Sequence, residues 1–202
     1  MKNHKTFLII FFFSFISIKA QADTSIVPLS SIDSTINTDV KYASINNFTN
    51  QILYPTDKVY IRKIVGEALA DIQTHLLENL NLRIKIYDGY RPLSVQKKMW
   101  KIMPDDRYVA NPATGSRHNR GAAVDLTLID STGTELDMGT EYDNFTEKAH
   151  YDYPNIPDES KTNRKILRDV MIKFGFTPIE SEWWHFDFKG WKMFSILDYQ
   201  LN

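Results

Sequence analysis

Between Asp57 and Leu80 apolar residues recur at intervals of three and four: Ile61, Ile64, Val65, Ala68, Leu69, Ile72, Leu76 and Leu80. This spacing is one face of an amphipathic helix, and Asp57 is placed to cap its start. The period then drops to two. Leu82, Ile84 and Ile86 alternate with Arg83, Lys85 and Tyr87, which predicts a half-buried strand entering the turn Asp88-Gly89-Tyr90-Arg91-Pro92. Such a strand delivers Arg91 to its end. Residues 94–103 predict a second helix, stopped by Pro104-Asp105-Asp106, and a loop follows up to Gly121. Over 122–128, Ala123, Asp125 and Thr127 alternate with Ala122, Val124, Leu126 and Leu128, predicting a second strand with Asp125 on its less apolar face. Thr162 is placed to cap a third helix in which Ile166, Leu167, Val170, Met171 and Phe174 share a face, and Gly175 ends it. A last strand is expected over 183–188.

Two stretches carry little period. Residues 23–54, rich in Ser, Thr, Asn and Asp, read as an irregular wrapping segment, and 134–153 give no clear element. The loose alternation of helices and strands predicts a single α+β domain over residues 23–202, with a central, mostly antiparallel sheet flanked by helices.

The first 22 residues stand apart. Lys2 and Lys5 precede an apolar run from Phe7 to Phe13, continued by Phe15, Ile16 and Ile18, and Ala20-Gln21-Ala22 follows. The run is shorter than the roughly 20 apolar residues that span a bilayer, and a small-x-small cleavage pattern ends it. A signal peptide over 1–22 is expected, with an exported product in the periplasm or cell envelope and no stable membrane anchor after its removal.

Loss of Lys2, Lys5 and Lys19 takes the formal charge from −1 to −4. A mildly acidic chain without basic clusters is a poor partner for nucleic acid. The sequence contains no cysteine, which excludes disulfides, thiol catalysis and thiolate metal ligands.

Beyond the leader there are four histidines, His75, His118, His150 and His185. His118 sits in a loop seven residues before Asp125 on a strand, and Glu182 stands three residues before His185. Two imidazoles and a carboxylate form a standard nitrogen and oxygen set for catalytic zinc, with a further position left open. Such a site also requires a base for the attacking water, and Glu182 is placed for it. A lone histidine beside tryptophan is commonly a packed aromatic, and an isolated E-x-x-H arises by chance. It is the two motifs together that point to a metal. Arg91, otherwise a surface arginine in a turn, becomes a candidate cation for the oxygen on which charge develops. His75 reads as a boundary residue of the first helix, and His150 has no partner at ligand spacing.

These segments resemble a known family. SRHNRGAAVD, from Ser116 to Asp125, and EWWH, from Glu182 to His185, match the S-x-H-x-x-G-x-A-x-D and E-x-W-H motifs of the zinc D,D-peptidases. YDGYRP (87–92), DMGTEYD (137–143) and KYASINNFT (41–49) resemble the D-alanyl-D-alanine dipeptidases of the vancomycin-resistance (VanX) type. The resemblance implies one zinc ion per chain, held at the sheet by His118, Asp125 and His185. It further implies Glu182 as general base, Arg91 as oxyanion partner, and Tyr42, Ser116 and Asp143 around a small D,D-dipeptide, with Asp143 facing its amino group. The resistance-type enzymes are cytoplasmic, so a leader implies a different task, such as recycling dipeptide in peptidoglycan metabolism of the envelope.

Two other readings make different demands. A D,D-carboxypeptidase trimming the terminal D-Ala of stem peptides requires an open groove, whereas a dipeptidase requires closure over the amino end. A non-catalytic envelope-binding module has no use for a base and an oxyanion cation beside a metal.

Overall fold

The computed structural model describes residues 25–202, so the expected leader lies outside the described residues. Along the chain come β1 (Ile26–Pro28), β2 (Asn37–Thr38), β3 (Tyr60–Arg62), α1 (Lys63–Leu80), β4 (Arg83–Asp88) and α2 (Leu93–Ile102). The second half adds β5 (Ala123–Ile129), α3 (Asp158–Lys173), β6 (Phe176–Ile179) and β7 (Glu182–Phe188). The main sheet has the order β2-β4-β5-β7-β6, antiparallel throughout except for the parallel edge pair β2 and β4. A separate antiparallel ribbon joins β1 to β3. This is the expected single-domain α+β architecture.

Helix α1 buries Val65, Leu69, Ile72 and Leu76, and Asn81 closes it in the left-handed conformation at φ 54°. The helix begins at Lys63 rather than near Asp57, because residues 60–62 are extended and paired with β1. Ile61 is fully buried as a strand residue, so one apolar position served both periods and the pattern alone ran the helix too far back. Buried Gln73 joins helix to sheet: its Oε1 accepts the Ile84 amide at 3.0 Å.

Strand β5 is buried along its whole length. Val124, Leu126 and Leu128 take one face; Ala123, Asp125 and Thr127 take the other, which carries the candidate site. Burial on both faces explains why the expected contrast between the faces is one of residue size and polarity, not of exposure.

Helix α3 starts at Asp158, four residues before the expected Thr162 cap. Pro157 precedes it, Asp158 and Glu159 occupy its first turn, and the Thr162 hydroxyl donates back to the Asp158 carbonyl at 2.9 Å. After Gly175, at φ 90°, the chain forms β6, a strand that short length and Pro178 hid from the periodicity. The segment 23–54 is likewise more ordered than its composition suggests, since its described part supplies β1 and β2.

The loop across residues 138–150 is pinned from below by buried Arg164 of α3. Its guanidinium donates to the carbonyls of Met138, Lys148 and His150. Asp137, at the start of this loop, accepts the Ser160 hydroxyl and the Gly139 amide, both at 2.7 Å. An aperiodic segment is thereby fixed over the sheet, and it carries Tyr142 and Asp143.

Candidate active site

Sheet register assembles most of the site. Asp88 on β4 pairs with Asp125 on β5, and Asp125 pairs with His185 on β7, so the three lie in one row across three strands. Directly opposed residues share a face, and this row therefore projects together. His118 comes from a 3-10 turn, His118–Arg120, that is stitched to the turn after β4. The Arg91 amide donates to the His118 carbonyl at 3.1 Å, and the Asn119 side chain donates to the Arg91 carbonyl at 2.8 Å.

Three buried donor atoms converge. His118 Nε2 lies 3.1 Å from His185 Nδ1 and 3.3 Å from Asp125 Oδ1, and His185 Nδ1 lies 3.0 Å from that same oxygen. Ligand atoms bound tetrahedrally at zinc distances are separated by about 3.3 Å. The triangle thus fits one face of a zinc tetrahedron, and among the described residues this is the group able to hold a metal.

Neighbouring groups orient the donors. His118 Nδ1 lies 2.8 Å from the Gly89 carbonyl oxygen and donates to it, which leaves Nε2 with its lone pair toward the triad. His185 Nε2 lies 2.9 Å from Asp187 Oδ1. The second oxygen of Asp125 accepts the Tyr142 hydroxyl at 2.9 Å. Burial by itself would lower the pKa of His185, but hydrogen bonds to Asp125 and Asp187 outweigh it and push it up to about 10. A metal held by His118, Asp125 and His185 would take the place of the proton on His185 Nδ1.

Glu182, mostly buried, has Oε2 3.9 Å from His185 Nδ1. Burial pushes its carboxyl up to about 7, against the attraction of His185. Arg91 is 8% exposed; its Nε and Nη2 donate to Asp88 Oδ2 at 3.0 and 2.7 Å, and Nη1 donates to Gln96 at 2.9 Å. These bonds fix the guanidinium while leaving N–H groups for a ligand. Tyr54 and the Gly89 amide occupy the other oxygen of Asp88.

A cavity of about 130 Å³ contains the triad, Glu182, Arg91, Ser116, Tyr42 and Asp143 in its walls. The Tyr42 hydroxyl donates to Asp143 Oδ2 at 3.1 Å, and the Ser116 hydroxyl accepts the His118 amide at 3.2 Å. Burial, and then repulsion from Asp125, push the Asp143 carboxyl well above the usual carboxylate range. A larger groove of about 580 Å³, walled by Tyr142, Glu135 and Trp183, contains none of the triad; the chemistry lies in the smaller cavity.

Every site residue singled out in the sequence is therefore brought to one cavity. His75 instead stacks on Phe174 at 5.5 Å, and His150 lies outside the cavity. Sequence reasoning did not single out Asp88, Gln96, Tyr142 and Asp187. Asp187 had a usable signal, since a strand places residues two apart on one face; Gln96 on α2 had none.

Known proteins resemble the chain over the region that holds these residues. The D-Ala-D-Ala dipeptidase profile of the M15 peptidases matches residues 22–198. The chain belongs to this family. It is 37% identical to the D-alanyl-D-alanine dipeptidase of Escherichia coli K12 over 164 residues, covering 81% of this chain and 84% of that protein. A D-alanyl-D-alanine dipeptidase of Enterococcus faecalis V583 is 32% identical over 169 residues, 73% of this chain and 83% of the other. That of Streptomyces coelicolor A3(2) is 34% identical over 180 residues, with coverages of 77% and 87%. As a member of this family the chain is a zinc metallopeptidase.

Gly89 offers a test of the assembly. A Cβ there would meet the Tyr60 carbonyl oxygen at 2.7 Å and Val59 Cγ1 at 2.9 Å, displacing the carbonyl that orients His118. Gly89→Ala is expected to cost about 1–3 kcal/mol and to weaken zinc binding. Urea unfolding and chelator competition measure the two effects; parental zinc affinity would contradict the second.

Proposed function

We propose that this chain hydrolyses the D-alanyl-D-alanine dipeptide, with zinc held by His118, Asp125 and His185. The observation that carries the proposal is the buried triangle of donor atoms with Glu182 and Arg91 beside it in a small cavity. Bound zinc supplies Lewis acidity, polarising a carbonyl and acidifying water.

The protein's own groups supply the rest. The Glu182 carboxylate accepts the proton of the attacking water and returns it to the leaving amine; its raised pKa suits both transfers. Arg91, locked by Asp88 and Gln96, presents a preorganised cation to the oxygen on which negative charge grows. Asp143, a part-buried carboxylate bonded to Tyr42, takes the substrate's ammonium group. Ser116 lies in the wall next to His118 and offers its hydroxyl to the dipeptide.

Small size supports the dipeptidase over the carboxypeptidase, since the cavity holds only about 130 Å³. Phe48, Phe145 and Tyr108 form an aromatic chain in the cavity wall, with centroid separations of 5.2 and 4.9 Å. Together with Tyr42 and Asp143 they bound a small site whose size suits a dipeptide better than a stem peptide. A binding module without activity has no use for the constrained base and cation.

Regarding location, we propose export to the periplasm or cell envelope on the strength of residues 1–22, and a role in recycling dipeptide there. Among the described residues no helix is long and apolar enough to cross a membrane. N-terminal sequencing of protein recovered from the envelope fraction is expected to begin at or near Asp23; retention of the first 22 residues in a cytoplasmic fraction would refute export.

Turnover of D-Ala-D-Ala is expected to exceed that of a D-Ala-D-Ala-terminated pentapeptide by at least about two orders of magnitude, the scale on which closed sites discriminate, and to vanish with chelator. Equal turnover of both would overturn the dipeptidase assignment. Glu182→Ala is expected to keep its zinc and lose about 10²–10⁴ in kcat. A variant unable to hold zinc would show that Glu182 is a ligand.

A further inference from the structure

The two imidazoles of the triad are oriented by different means. His118 is held by a backbone carbonyl, that of Gly89. His185 is held by a side chain. Its Nε2 faces Asp187 Oδ1 at 2.9 Å, and Asp187 Oδ2 is in turn 3.3 Å from Arg117 Nε. The Arg117 guanidinium rests on the Trp191 ring at 4.9 Å.

We infer that Asp187, itself anchored by Arg117, is the positioning residue that determines which nitrogen of His185 faces the metal. The inference rests on the zinc reading above. Asp187 stands two residues after His185 on β7, so both project from one face, and its partner across the sheet is Ala123. The small methyl opposite leaves room for the carboxylate. The nitrogen that Asp187 engages is the one directed away from the triad, because Nδ1 is the atom 3.0 Å from Asp125. Asp187 is therefore not a fourth ligand. Accepting the Nε2 proton fixes the tautomer with its lone pair on Nδ1 and stops the ring from flipping. Asp187 is 6% exposed, and Arg117 supplies the charge that makes burying that carboxylate tolerable. The chain of contacts runs from Trp191 through Arg117 and Asp187 to His185.

The test is zinc affinity of the folded chain by chelator competition, joined to metal-free thermal unfolding and to kcat and KM at saturating zinc. Asp187→Ala is expected to weaken zinc binding about 10–100-fold, with kcat largely restored by excess zinc and KM unchanged. Arg117→Ala is expected to fall between parent and Asp187→Ala, and Arg117→Lys to recover most of the difference, since it keeps the cation. Zinc affinity of Asp187→Ala within about twofold of the parent would overturn the inference. So would a variant whose only change is a lower metal-free unfolding temperature, the signature of a merely structural residue. A parent chain that holds zinc but cleaves no dipeptide would refute the proposed activity alone, and the affinity comparison would still decide the role of Asp187.

Discussion

The register between β4, β5 and β7 is the constraint on which the site depends. It sets Asp88, Asp125 and His185 side by side on one face of the sheet. Strand side chains alternate faces, so a slip of one residue in β7 would turn His185 toward the helices and bring Trp184 or Phe186 to the metal position. Apolar burial on the other face, by Val124, Leu126, Leu128 and Phe186, penalises that slip strongly. The core thus holds the catalytic geometry in place, and an irregularity between Ile86 and Asp88 lets β4 bring its last carboxylate into the row before the chain turns.

Charge explains the remaining arrangement. Asp88, Asp125, Asp143, Glu182 and Asp187 meet in or beside one largely buried region, where Arg91 and Arg117 are the guanidinium partners. Buried carboxylates require cations. A divalent ion at the triad and, on the proposed reading, the ammonium of a dipeptide at Asp143 would supply the missing positive charge and make the cavity complementary to its contents. The same logic accounts for tyrosines 42, 54 and 142, whose hydroxyls donate to Asp143, Asp88 and Asp125. Each satisfies a carboxylate oxygen without adding charge.

The elements that matter for the site were legible to unequal degrees. Strands β4 and β5 announced themselves by a period of two, and Arg91, His118, Asp125, Glu182 and His185 by residue types in close spacing. The start of α1 was misplaced because Ile61 fits a helical face and a strand equally, and only pairing with β1 decides between them. β6 is four residues long and includes a proline, too little for a pattern. The loop carrying Tyr142 and Asp143 has no period at all; its conformation comes from the three carbonyl bonds of Arg164, a residue on a helix that the sequence alone does not connect to it.

Sequence by itself named the candidate ligands, base and cation, since those follow from side-chain type and short spacing, and no cysteine competed for the metal. Tertiary structure alone decided that the donor atoms stand 3.0–3.3 Å apart, which nitrogen of each imidazole faces inward, and that the cavity around them is small. Those properties depend on strand register, on hydrogen bonds between residues as distant in the chain as Gly89 and His118, and on ion pairs such as Arg117 with Asp187. Local sequence patterns carry no information about such pairings, because the free energy that selects them is released only when the whole sheet and its core assemble.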